Sequence, residues 1–303
     1  MPRQIELSLH LGPHKTATTH LQRSILNHQE EIIAAGVRTY GPDYLRQRGR
    51  NIPNLFGLTR WGARRAARRE PMDQLKFLAK SGWRVLLSEE NFLGQLHRDD
   101  GTLALPVYSE AAERIADLAS NFPRVAVRVF LAIRQPDTFL ESAYSQTLFA
   151  GKFLTPDEFV AQHQPDQVDW FEMMAAISAI PNVSLHVWRY EDYHQVFQTL
   201  MRRMLRWKLG GTVKPFKRPL HAGLSVQAVE QVMAWAEEGR EGALALDARK
   251  MLPVGEGRPR FTLFDQATKD AAVADYQRQF EAICQLPEID VILPAEAPTD
   301  GKG

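Results

Sequence analysis

The residues Gly12-Pro13-His14-Lys15-Thr16-Ala17-Thr18-Thr19 follow directly on an apolar run from Ile5 to Leu11 and lead into a helical pattern through Leu21, Ile25 and Ile32. A strand, a tight turn and a helix start carrying one Lys and three Thr make a site for a doubly charged anion. The first N–H groups of a helix have no intrahelical acceptor, the helix dipole adds about half a positive charge there, and Lys15 adds a full one. The spacing differs from that of a nucleotide triphosphatase loop, which needs Gly, four residues and then Gly-Lys-Ser/Thr. Here Lys15 follows Gly12 by three positions and a second Gly is absent, so the shorter turn suits a smaller group.

A second stretch carries anion chemistry of a different kind. The run Val127-Arg128-Val129-Phe130-Leu131-Ala132-Ile133 ends in Arg134-Gln135-Pro136 and passes into Phe139-Leu140-Glu141-Ser142-Ala143-Tyr144. Pro136 fits the first turn of a helix, so Arg134 is expected at the carboxyl end of a buried strand and Ser142 two turns into the next helix, on the face turned back toward it. Arg binds phosphate oxygens through a bidentate fork. Two anion sites imply a ligand with two separated phosphates. A third constellation, Ser88-Glu89-Glu90-Asn91-Phe92, follows the strand pattern Trp83-Arg84-Val85-Leu86-Leu87 and offers a carboxylate at another strand end.

At these residues the chain resembles the sulfotransferases that use 3′-phosphoadenosine 5′-phosphosulfate (PAPS). In that family a loop close to Pro-Lys-Ser/Thr-Gly-Thr-Thr binds the 5′-phosphosulfate, and an Arg with a nearby Pro and a Ser eight positions later binds the 3′-phosphate. The corresponding stretches here are His14-Lys15-Thr16-Ala17-Thr18-Thr19, and Arg134, Pro136, Ser142 with Tyr144. The departure is Ala17, where the family usually has Gly, and Ala17 is expected to take an ordinary helical φ. The resemblance implies a parallel α/β sheet of the P-loop sulfotransferase kind. It also implies sulfuryl transfer from PAPS to a hydroxyl or amine acceptor, with adenosine 3′,5′-bisphosphate as product and no metal. Gly12, His14, Lys15, Thr16, Ala17, Thr18 and Thr19 would form the phosphosulfate loop, and Arg134 and Ser142 the 3′-phosphate site. Lys15 would stabilise charge on the leaving oxygen. Related bacterial enzymes carry Ser-Ser-Glu at the third constellation, in a register that puts their Glu on Glu90. Glu90 is therefore the first choice of base and Glu89 the reserve, because side chains alternate on an extended segment. His10 and His14 are rival bases, and His10 is also a candidate donor to the transferring group. The Gly/Pro-rich basic stretch Gly255-Glu256-Gly257-Arg258-Pro259-Arg260 is similar to the loop that covers the cofactor in several sulfotransferases, with Arg258 the residue expected to reach the 3′-phosphate; an ordinary surface loop reads the same.

The elements that must position these groups alternate. Strands are expected near 5–11, 37–40, 83–88, 125–133 and 183–188, separated by helices and loops, which makes a parallel sheet covered on both faces with ligands at its carboxyl edge. After Trp188 the chain reads as helical over 190–209, 225–251 and 263–286, with a frayed tail from Glu288. The stretches 40–52 and 95–106 read as loops bordering an acceptor cleft. One domain spans residues 1–303, since 44% hydrophobic content can bury a large core and no linker interrupts it. Lys+Arg 37 against Asp+Glu 36 argues against a nucleic-acid binder. The cluster Arg60 to Arg69 is either a solvated face or an acceptor rim. The single Cys284 excludes an internal disulfide, fits a reducing compartment and is expected in the core beside Phe280 and Ile283. No apolar stretch reaches the roughly 18 residues of a membrane span, and the first strand begins too early for a signal peptide, so a cytoplasmic location is expected.

The nine His are scattered and form no metal set. The acceptor, whether small molecule, carbohydrate or lipid, is not written in any motif, although Trp61, Phe92 and Tyr108 are aromatic groups able to stack on a ring or to pack inside. Oligomeric state stays open. Two other functions fit parts of the pattern: an ATP and magnesium-dependent small-molecule kinase, and a non-catalytic nucleotide-binding protein in which Ala17 reports a decayed loop.

Overall fold

The computed structural model describes residues 5–64, 67–217 and 223–295. Six strands form one sheet: β1 (Glu6–Gly12), β2 (Val37–Tyr40), β3 (Arg84–Ser88), β4 (Val127–Ile133), β5 (Val183–Arg189) and β6 (Ile289–Val291). Their spatial order is β2-β3-β1-β4-β5-β6, and every neighbouring pair is parallel. The protein is thus α/β with a parallel sheet flanked by helices. Among the described residues no helix is long and apolar enough to cross a membrane.

The inner strands β3 and β4 read as near-continuous apolar runs because both faces are covered. On β4, Val127, Val129, Leu131 and Ile133 enter one hydrophobic cluster, whereas Phe130 and Ala132 enter the other. The first cluster takes in Phe139 and Leu140 from the helix Pro136–Phe149, together with Trp170 and Met174 from the helix Trp170–Ser178. The second takes in Leu21 and Ile25 of α1 (Thr18–Leu26), Ile32 of α2 (Gln29–Ala34) and Leu200 of the helix Tyr193–Met204. Burying a side chain such as Phe130 or Leu200 is worth roughly 1.5–3 kcal/mol, so this double layer holds the strand ends that carry the chemistry.

Four expectations change. The tail is ordered at its start: Ile289–Val291 is β6, paired with Leu185–Val187, while residues 296–303 lie outside the described residues. The helix expected over 225–251 is two, Val226–Glu237 and Leu244–Met251, because Gly239 and Gly242 take positive φ between them and end the first helix. The stretch 40–52 is not all loop, since Pro42 starts a one-turn helix α3 (Pro42–Leu45). Cys284 is exposed: Ile283 points inward, and the next residue lies about 100° further round the helix, at its end. In the basic cluster Arg60 pairs with Glu113 and lies over Trp61, which Arg114 also stacks on, each guanidinium 4.5 Å from the ring centre. Arg65 and Ala66 of that cluster lie outside the described residues.

Candidate functional site

The strand order brings three chemistry-bearing turns together. β1 lies between β3 and β4, so the turn after β1, the Ser88-Glu89-Glu90 segment after β3 and Arg134 after β4 share one stretch of the sheet's carboxyl edge. Gly12 is demanded there by contact and by dihedral. Its φ is +97°, and a Cβ would sit 2.9 Å from the Cβ of Glu90.

The turn itself is strained. Lys15 and Ala17 both have positive φ, 66° and 62°. Ala17 therefore does not take the ordinary helical φ expected of it; it adopts the left-handed conformation that a Gly would take there, because the turn geometry outweighs the Cβ cost of about 1–2 kcal/mol. A backbone of alternating handedness makes the kind of concavity that gathers N–H groups around an anion. Ala17 caps α1 without a side-chain bond, and no acidic residue occupies the first helical turn. Among the described residues no acceptor takes the backbone N–H of Lys15, Thr16, Ala17, Thr18 or Thr19. Thr16 Oγ1 donates to the Pro13 carbonyl at 2.6 Å and ties the turn to its own start.

Positive charge collects around it. The Lys15 pKa is pushed down to about 8, first by burial and then by the cations Arg134 and Arg249. Arg134 is buried, and burial is also the main cause that lowers its pKa, with Arg260 adding to it against Tyr190, Glu191 and Glu141. Its Nη1 donates to the Lys15 carbonyl at 2.5 Å and its Nε to Thr138 Oγ1 at 3.1 Å, and its guanidinium lies 4.4 Å from the centre of the Tyr190 ring. Trp170 Nε1 fixes the Arg134 carbonyl at 2.7 Å. Arg134 thus clamps the turn after β1 to β4, while its Nη2 meets no acceptor among the described residues. Ser142 is half-buried on the helix that follows. Arg258 sits in a turn bridged to Gly255, and its Nε donates to the Pro253 carbonyl at 3.0 Å. The arginines whose charges act on Lys15 and Arg134 are instead Arg249 and Arg260, which the sequence reading missed. Arg260 had a signal, lying in the same basic loop as Arg258; Arg249 had none.

The two carboxylates differ in environment. Glu89 is buried, takes Arg46 Nε and Nη2 at 3.0 and 2.9 Å, and accepts the Asn91 N–H at 3.2 Å as a cap. Glu90 receives the same Arg46 Nη2 at 2.8 Å and Gln22 Nε2 at 3.4 Å. Burial works to raise the Glu90 pKa, yet its own backbone N–H, His14 and Arg46 outweigh it, and the net direction is down. Glu90 also lines a cleft of about 390 Å³ between α1 and the Tyr40–Tyr44 segment, with Thr19, Gln22, Ser88 and Arg46 among its walls. Glu89 is not among those walls, so one acid is exposed to the cleft and the other braces Arg46.

Both candidate histidines are held neutral. His10 is buried, its Nδ1 lies 2.7 Å from Ser88 Oγ, and burial, partly opposed by Glu90, pushes its pKa down to about 4. Gln22 Nε2 donates to that same Ser88 hydroxyl at 3.1 Å, so Ser88 Oγ joins the strand-end histidine to α1. His14 Nε2 donates to Asn91 Oδ1 at 3.0 Å, and its Nδ1 accepts from the Tyr108 hydroxyl at 2.9 Å, on a ring that stacks with its own. With both nitrogens engaged, His14 is the weaker candidate for proton transfer. Trp61, Phe92 and Tyr108 are interior; the aromatic rings on the cleft are Tyr40 and Tyr44.

No family model matches the chain, and no curated protein matches it. Among solved structures, the chain is similar to a protein of the PezAT chromosomal toxin-antitoxin system of the human pathogen Streptococcus pneumoniae, at 11% identity over 92% of this chain and 87% of that one, with a TM-score of 0.24. A likeness this weak carries no argument about fold or function.

Proposed function

We propose that the protein is a sulfotransferase that moves a sulfuryl group from PAPS to a hydroxyl or amine acceptor. The observation that carries this reading is the sharing of one sheet edge by an uncapped helix start with Lys15, a buried Arg134 tied to the same turn, and a carboxylate, Glu90, on an adjoining cleft. The residues fit the donor: the N–H groups from Lys15 to Thr19, which have no acceptor among the described residues, suit the 5′-phosphate, and Arg134 Nη2 with Ser142 suits the 3′-phosphate.

PAPS supplies an activated sulfuryl group, whose sulfur to bridging-oxygen bond breaks as an acceptor oxygen or nitrogen bonds to sulfur. Lys15 answers the negative charge that grows on the leaving oxygen, an interaction stronger in the transition state than in the ground state. Glu90 takes the acceptor's proton, its low pKa keeping it ionised at neutral pH. Arg46 holds that carboxylate in place. His10, buried, neutral and hydrogen-bonded to Ser88, serves as a fixed polar group rather than as the base.

The test is calorimetric titration with adenosine 3′,5′-bisphosphate beside ATP with magnesium. Micromolar binding of the bisphosphate without an ATP response supports the reading. Preference for ATP moves it to a kinase, and no response to either leaves a protein that does not use these nucleotides.

A further inference from the structure

The cleft beside Glu90 has a chemistry of its own. Its volume of about 390 Å³ is near the lower end of the range of roughly 300–1,000 Å³ typical of small-molecule sites. One wall is aromatic: the rings of Tyr40 and Tyr44 pack at 4.7 Å with a 50° tilt, and both line the cleft. The wall formed by α1 and the start of α2 carries the amides of Gln22 and Gln29 beside the apolar Leu26. An apolar flat surface opposed by amide and carboxylate groups suits a ligand with a C–H face and a hydroxyl edge.

The charge at the inner end narrows the class. Glu89 and Glu90 share one guanidinium, that of Arg46, so the group of three holds a surplus of one negative charge, while the other charged groups on the walls, Arg23 and Asp43, are of opposite sign and offset each other. A ligand carrying a carboxylate or sulfate next to Glu90 would meet a like charge in a partly buried place. A ligand with only hydroxyls there would donate to Glu90.

We propose that this cleft is the acceptor site and that it selects a small polyhydroxyl ring, sugar-like and without an acidic group. The assignment rests on the sulfotransferase reading for its role as an acceptor, but the binding itself does not need turnover. The probes are p-nitrophenyl β-D-glucoside and p-nitrophenyl β-D-glucuronide, which differ in one carboxylate, titrated by ligand-observed NMR into protein saturated with adenosine 3′,5′-bisphosphate. The glucoside is expected to bind, and the glucuronide at least tenfold more weakly. Glu90→Gln should shrink that gap to under threefold. Leu26→Trp, a change at an exposed helix position that fills the cleft mouth, should abolish glucoside binding and leave bisphosphate binding intact. Equal or tighter binding of the glucuronide, an unchanged gap in Glu90→Gln, glucoside binding that survives Leu26→Trp, or no glucoside binding at all would each overturn the assignment. Loss of bisphosphate binding in the parent protein would sink the sulfotransferase reading instead, so the two failures are distinguishable.

Discussion

Lys15→Met is expected to make the protein more stable and unable to bind the bisphosphate. The ammonium is held in a turn where burial and two arginines oppose its charge, bringing its pKa from 10.5 to about 8. At about 1.4 kcal/mol per pH unit, that interval corresponds to an upper bound of roughly 3.5 kcal/mol against the folded state. Solvent screening and imperfect packing of the Met reduce the expected gain to about 1–2 kcal/mol at pH 7. The sign follows from linkage. Below pH 8 the Lys is protonated both folded and unfolded, and the folded state carries the whole cost. Between pH 8 and 10.5 the folded Lys loses its proton first, and the cost disappears. The positive φ at position 15 is common to both side chains and cancels. Urea unfolding of parent and variant at pH 7 and again near pH 10, with unchanged m-values, measures the difference. A variant less stable than the parent at pH 7, or one with the same gain at both pH values, would refute the reasoning that Lys15 is a cation held in place for a ligand.

Three further outcomes are expected. Ala17→Gly should raise stability by up to about 1 kcal/mol by relieving the left-handed Ala, whereas Ala17→Val should lower it by about 1–2 kcal/mol, both read from urea midpoints. Arg46→Gln should cost about 1–3 kcal/mol, since Glu89 is buried on a partner that is itself half-exposed. The same change should move the acid limb of the pH–rate profile upward, because Glu90 loses an interaction that holds its pKa down and must stay ionised to take a proton; an unmoved limb would exclude Glu90 as the base. Arg134→Lys should weaken bisphosphate binding by about tenfold or more in calorimetry, as a single ammonium cannot hold both the Lys15 carbonyl and a phosphate; full affinity would mean that Arg134 serves only the turn.

The five strands expected from the sequence are present near their expected bounds; β3 and β4 are the most legible, because a parallel strand buried on both faces reads as a near-unbroken apolar run. β6 escaped because Ile289-Asp290-Val291 is three residues long and its pairing with β5 is set by the helix Gln266–Cys284 that delivers it. The anion turn, Arg134 and the acid pair were legible as residues at the ends of such runs. Their convergence was not, since the order β3-β1-β4 is a tertiary fact. The handedness of Ala17 ran against its residue type, and only the closed turn reveals it. Arg46, Tyr40 and Tyr44 sit in a stretch with no motif, where α3 and its packing on β2 decide which side chains reach the cleft. Arg249 and Arg260 arrive from more than 100 residues away, and nothing in local spacing connects them to Lys15.

The most direct test is a crystal structure of the complex with adenosine 3′,5′-bisphosphate. The 5′-phosphate is expected within hydrogen-bonding distance of the N–H groups between Lys15 and Thr19 and of the Lys15 ammonium, with the 3′-phosphate on Arg134 and Ser142. A bisphosphate bound elsewhere, or one whose 3′-phosphate lies away from Arg134, would contradict the sulfotransferase assignment.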